Sequence, residues 1–204
     1  MFKAVKKEVI DQHNQSHKSD LDFDFEYLEK KLQQSQIDIH KIKEQVKKFQ
    51  VAVPTWGVGT GGTRFARFPG IGEPQNIYEK IEDCAVINDL MGFTQKVSPH
   101  FPWDNVEDFS ELKSFSDNYG IGFDVVNSNT FQDSDDSSES FKYGSLTNAS
   151  SAARDKAIEV NQRAIDNGRI LGSKGLTVWI GDGGNFPGQI SFSRSLERYI
   201  DSMK

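Results

Sequence analysis

From residue 51 onward, short apolar runs alternate with longer amphipathic stretches, and they do so four times over. Val51–Thr55, Lys96–Pro99, Ile121–Val126 and Gly175–Ile180 have the length and the β-branched content of strands. Pro74–Met91, Val106–Tyr119, Ser151–Leu171 and Ser191–Met203 carry apolar residues at helical spacing. Pro74 falls in a first turn, Gly120 ends the second helix, and Ser150 or Ser151 caps the third. Strand followed by helix, repeated, is the signature of parallel βαβ units in an α/β fold. Four units leave two architectures open. One is a small open sheet. The other is the N-terminal half of a (β/α)8 barrel, because a closed barrel takes about 250 residues.

Composition excludes several classes. The chain has 204 residues, 36% of them hydrophobic and 26% charged, with a net charge of -6. Its mean hydropathy is -0.59 and its pI is near 5.3. Nothing approaches the ~18 apolar residues of a membrane helix, and the first fifteen residues lack the apolar centre of a secretory signal. An acidic chain of this kind is a poor partner for nucleic acid. Cys84 is the single cysteine, which fits a reducing cytoplasm.

Residues 1–50 differ in texture from the rest and read as a helical arm. They are polar and lysine-rich, with a Phe-rich island at Phe23–Tyr27. Asp24–Phe49 lacks Gly and Pro and is expected to form one helix on a stripe of Ile37, Ile39, Ile42, Val46 and Phe49. A surface or oligomerisation helix accounts for this better than a nucleic-acid role, since acidic residues interleave with the lysines.

In parallel α/β folds the working loops follow the C-terminal ends of the strands. Here those places hold Trp56 and a glycine cluster, then His100, Trp103 and Asp104, then Asn127 and Asn129, then Trp179 and Asp182. All three tryptophans and the one histidine outside the arm fall there. That clustering points to a site at one mouth of the sheet. Gly57–Gly62 matches the letters of a dinucleotide fingerprint, yet it leads into Pro69-Gly70 rather than directly into a helix, so that function is rejected. The stretch reads instead as a long loop presenting Arg64, Phe65, Arg67 and Phe68. Asp133, Asp135, Asp136 and Glu139 lack the glycine and terminal glutamate of a calcium loop and read as a solvated acidic segment. His100-Phe101-Pro102-Trp103-Asp104 supports two readings equally. In one, Asp104 holds the imidazole in one tautomer for work on a hydroxyl proton while Trp103 offers a flat wall to a sugar. In the other, Asp104 merely caps a loop histidine and Trp103 is core. No histidine–carboxylate or paired-cysteine spacing marks a metal site in this chain.

Five segments together carry a more specific signal. Residues 53–70, 82–87, 100–104, 127–131 and 177–189 resemble the broad-specificity bacterial L-rhamnose isomerases, whose barrel is of the xylose-isomerase type. The resemblance covers residues 51–204 well and the arm loosely. It implies an aldose–ketose isomerase that interconverts L-rhamnose and L-rhamnulose, on a homotetramer, with Mn²⁺ or a similar divalent ion. It implies that His100 hydrogen-bonds a ring or terminal hydroxyl of the aldose and assists ring opening. Trp103, Phe131 and Trp179 would form the apolar wall, and Phe65 would reach a neighbouring subunit's pocket. The metal ligands of such enzymes come from later strands, so they are expected C-terminal to Lys204, and this chain alone is expected to be an inactive N-terminal fragment. Competing expectations are a related sugar or sugar-phosphate isomerase or epimerase with Arg64 and Arg67 on the phosphate, a DNA-repair endonuclease on the same barrel type, and a non-catalytic interaction module.

Overall fold

The computed structural model describes residues 5–59, 70–101, 103–133, 138–184, 186 and 188–204. The arm is three helices: α1 (Lys7–Ser16), α2 (Lys18–Gln33) and α3 (Ile39–Lys47). The expected single helix over 24–49 is therefore corrected. Gln36 adopts a left-handed φ of 57°. Two residues on, the Asp38 side chain accepts from the His40 and Lys41 backbone N–H groups and starts a new helix. The arm is seated on the rest of the chain: Ile10 is buried, and the Asn14 amide reaches the Asp89 carbonyl.

The remainder alternates as the sequence pattern requires. Its elements are β1 (Ala52–Pro54), α4 (Ile77–Met91), β2 (Lys96–Ser98), α5 (Phe109–Asn118), β3 (Gly122–Phe123), β4 (Val126–Asn129), α6 (Ser151–Leu171), β5 (Leu176–Trp179) and α7 (Phe192–Ser202). A 3-10 turn, Thr55–Gly57, follows β1. Asn76, Asp108, Ser150 and Ser191 cap α4 to α7 through their side chains. Pro74 lies ahead of the Asn76 cap, which corrects its expected place in a first turn. Gly92 and Gly172 close α4 and α6 at φ 80°, a conformation that costs a glycine little.

Every strand pair is parallel, so the chain is α/β. β1, β2 and β3 run side by side, and β4 pairs with β5. The two groups are continuous. Asp124 N–H donates to the Val97 carbonyl, Asn127 N–H to Pro99, and Phe101 N–H to Asn127, and His100 and Asn127 form a parallel bridge. The single strand expected over 121–126 is thus two short strands. Its first half serves β2 and its second half serves β5. The break has a cause: the Ser98 hydroxyl takes the Val125 carbonyl at 2.6 Å, out of the ladder. Gly175 permits the kink, because a Cβ there would stand 2.7 Å from Val125 Cγ1.

The core lies between the sheet and α4, α5 and α6. Ile77, Ile81, Cys84, Val97, Leu112, Ile121, Phe123, Val126 and Leu171 form one buried cluster. A smaller cluster joins Phe141 and Leu146 to Ala157 of α6. β5 alternates half-buried and exposed residues, and α7 buries none of its own. Among the described residues no helix is long and apolar enough to cross a membrane.

Candidate active site

Parallel strands place their C-terminal ends on one edge of the sheet. Trp56 sits in the 3-10 turn after β1, His100 and Trp103 follow β2, Phe131 follows β4, and Trp179 ends β5. These side chains meet. With Ile180 and Gly181 they line a cavity of about 350 Å³. Of the residues singled out from sequence, His100, Trp103, Phe131 and Trp179 are brought together. Phe65, with Arg64, Arg67 and Phe68, lies outside the described residues, as do Asp135 and Asp136.

His100 is the hub. Its ring centroid is 4.0 Å from Trp103, 5.5 Å from Trp56, 6.1 Å from Phe131 and 6.2 Å from Trp179, the last nearly parallel at 16°. The residue is only 2% exposed, and Nε2 is buried with no protein partner. Burial among aromatic rings disfavours the imidazolium and lowers the pKa from 6.5 to about 4. Asp104 opposes that shift and Lys80 reinforces it. At neutral pH the ring is therefore uncharged, with one nitrogen donating and the other accepting. Of the two states open from sequence, Trp103 is in the cavity wall rather than in the core.

Of the two parts open for Asp104 from the sequence, the structure shows the capping one. Its carboxylate accepts from the His100 backbone N–H at 2.8 Å, from Thr55 Oγ1, and from Lys80 Nζ at 2.7 Å. Both charged side chains are fully buried. Asp104 thus pins the main chain of the histidine loop to the turn carrying Trp56 and to α4. Lys80 escaped the sequence reading because lysines on amphipathic helices usually face water. Its position was the clue: 77, 80, 81 and 84 form one inward stripe, and Lys80 falls on it.

The asparagines at the strand ends are also fasteners. Asn129 Oδ1 accepts from the Phe131 and Gln132 backbone N–H groups, which shapes the turn that presents Phe131. Thr130 Oγ1 donates to the Trp179 carbonyl at 2.8 Å. Asp182 accepts from the backbone N–H and hydroxyl of both Ser145 and Thr147, at 2.7–3.0 Å. Among the described residues no group of three or more His, Cys, Asp or Glu side chains is placed to hold a metal ion. The two carboxylates beside the cavity are committed to these structural bonds.

Comparison with known proteins supplies an independent line. No protein-family model matches the chain. A probable sugar isomerase of Mesorhizobium japonicum is 52% identical over 200 residues, covering 98% of this chain and 46% of that protein. A second, from Rhizobium meliloti, is also 52% identical, covering all of this chain and 47% of that protein. This chain is similar to both along nearly all its length. It spans about half the length of the curated relatives it matches.

The shifted histidine has a measurable consequence for folding. An unfolded chain protonates His100 near pH 6.5, and the folded one only near 4. Proton uptake below pH 6.5 therefore favours the unfolded state. Stability from this group is complete above pH 6.5 and falls as the pH drops toward 4, by roughly 3 kcal/mol at most. Urea unfolding at pH 7, 5.5 and 4 should show this fall, and His100→Gln should flatten that part of the profile. An unchanged slope in the variant would assign the acid sensitivity elsewhere.

Proposed function

We propose that this chain forms the aromatic and histidine side of the active site of a sugar isomerase, and within that class of an aldose–ketose isomerase acting on L-rhamnose and similar aldoses. One observation carries the reading: a cavity walled by three tryptophans and a phenylalanine around a neutral histidine with a free buried nitrogen, in a chain 52% identical to two proteins named probable sugar isomerases. The alternating parallel strands, and a length about half that of those relatives, support the first four units of a (β/α)8 barrel. A homotetramer with Phe65 reaching a neighbour's pocket belongs to the same proposal.

The chemistry follows from the walls. Indole and phenyl faces bind the C–H faces of a sugar and exclude water around it. Opening the ring of an aldose requires a proton to leave the anomeric hydroxyl and one to reach the ring oxygen. A neutral imidazole can hold either proton in a hydrogen bond, accepting through one nitrogen or donating through the other, and at neutral pH His100 would act in this way rather than as a strong base. His100 would hydrogen-bond that hydroxyl through its free nitrogen. A divalent ion, Mn²⁺ or similar, would act as a Lewis acid on the oxygens of C1 and C2. The donors among the described residues do not fit such an ion, and its ligands are proposed to lie C-terminal to Lys204.

The test is an isomerase assay of the protein carrying this chain, against L-rhamnose and a panel of other aldoses. His100→Asn should lower kcat/KM by about 100-fold, in the range of a lost proton-transfer group, while circular dichroism stays unchanged. Trp103→Ala should mainly raise KM. Failure of the unaltered protein to turn over any aldose would overturn the reading.

A further inference from the structure

We infer that Asn127 is a positioning residue that locks the Trp179 indole to the strand carrying His100 and so sets the geometry of the aromatic wall. The inference rests on the proposed site. Asn127 lies in β4, between β2 and β5, and is 3% exposed. All of its polar atoms are engaged. Nδ2 donates to Ser98 Oγ and to the Pro99 carbonyl, both at 2.9 Å. Oδ1 accepts from Trp179 Nε1 at 3.0 Å. Its own main chain bridges to β2: Asn127 N–H donates to Pro99, and Phe101 N–H donates to the Asn127 carbonyl. The residues on either side of His100 are thus held by Asn127.

An amide suits this position better than any other side chain of its length. It offers two donors toward β2 and an acceptor toward β5 at once, without charge. A carboxylate would have no hydrogen for Ser98 or Pro99, and a leucine would take this acceptor from the indole N–H. Trp179 needs the tether. It ends a strand and is 44% exposed, and its ring neighbours Trp56, His100 and Phe131 stand 6.2–6.3 Å away, centroid to centroid, without a directional bond to fix its angle. Held by Asn127, it lies nearly parallel to the His100 ring. A wall that binds sugar by its flat faces depends on that angle.

The experiment separates this inference from the function it rests on. In ¹⁵N-labelled protein, the Trp179 indole resonance is assigned by its loss in Trp179→Phe. Asn127→Ala should move that resonance and speed exchange of its proton about tenfold, in keeping with one lost hydrogen bond. Ser98→Ala, which also frees the Val125 carbonyl, should move it much less than Asn127→Ala does, because the Pro99 and Trp179 bonds of Asn127 survive. Aldose kinetics add a second readout. Asn127→Ala and Trp179→Phe should each raise KM about tenfold with a smaller change in kcat, and the double variant should be little worse than either. An unmoved indole resonance in folded Asn127→Ala, or fully additive KM effects, would overturn the positioning role. A protein that turns over no aldose while its indole responds to Asn127→Ala would keep the tether and overturn only the sugar reading.

Discussion

Asp104→Ala is expected to lower stability by about 3–5 kcal/mol, the usual cost of leaving one member of a buried ion pair alone. Lys80 Nζ and the Asp104 carboxylate are 2.7 Å apart, and both side chains are shielded from water. Removing the carboxylate strands a buried ammonium and also takes the acceptor from the His100 N–H and the Thr55 hydroxyl. The loss exceeds what the pair adds over an apolar replacement, because separating two charges from water is itself costly. The double variant Lys80→Met, Asp104→Leu should therefore recover a good part of it. Urea midpoints for the two variants decide the matter. A cost below about 1 kcal/mol for Asp104→Ala would show that Lys80 reaches water in the folded state. The double variant has a second use. It removes the anchor of the histidine loop without a stranded charge, so weaker aldose binding in a folded protein would report the loop's placement alone.

What could be read in the sequence, and what could not, divides along the range of the interactions. The bounds of α6 were legible, because a capping serine stands beside its start; of Ser150 and Ser151 it is Ser150 that caps. The meeting of His100, Trp103, Phe131 and Trp179 was legible as well, since parallel strands bring their ends together whatever lies between. The split of the third strand was not. It depends on Ser98 reaching Val125 and on Gly175 making room for it, contacts between segments distant in the chain. The arm's break at Gln36 was missed because no Gly or Pro marks it, and only the Asp38 cap gives it away. The polar residues at the strand ends were read only as marking the mouth where a site lies. Asp104, Asn127 and Asp182 spend their hydrogen-bonding capacity on the protein, and neighbours in sequence cannot reveal that.

Asp182→Ala should show how far one such fastener reaches. The carboxylate collects four donors from Ser145 and Thr147, two of them backbone. Hydrogen bonds to an ionised group are the stronger kind, and their joint loss should cost about 3 kcal/mol, less than their sum because part of the site is open to water. The damage should spread in one direction. The segment 144–148 sits between α6, α7 and the loop that carries Asp182. Asn148 Oδ1 holds the Ser150 backbone ahead of α6, while Arg198 and Ser202 of α7 donate to the Thr147 and Leu146 carbonyls. With Asp182 gone, residues 144–150 and α7 should lose amide protection together. α7 has no buried residue of its own to keep it in place. β1, β2 and α4 lie on the far side of the sheet and carry the larger core, so their amides should keep their protection. Hydrogen exchange read by mass spectrometry resolves the two regions. Loss confined to 144–150 would mean that α7 is held by its apolar contacts rather than through the Asp182 clasp. Loss across the whole chain would mean that the sheet unfolds as one cooperative unit.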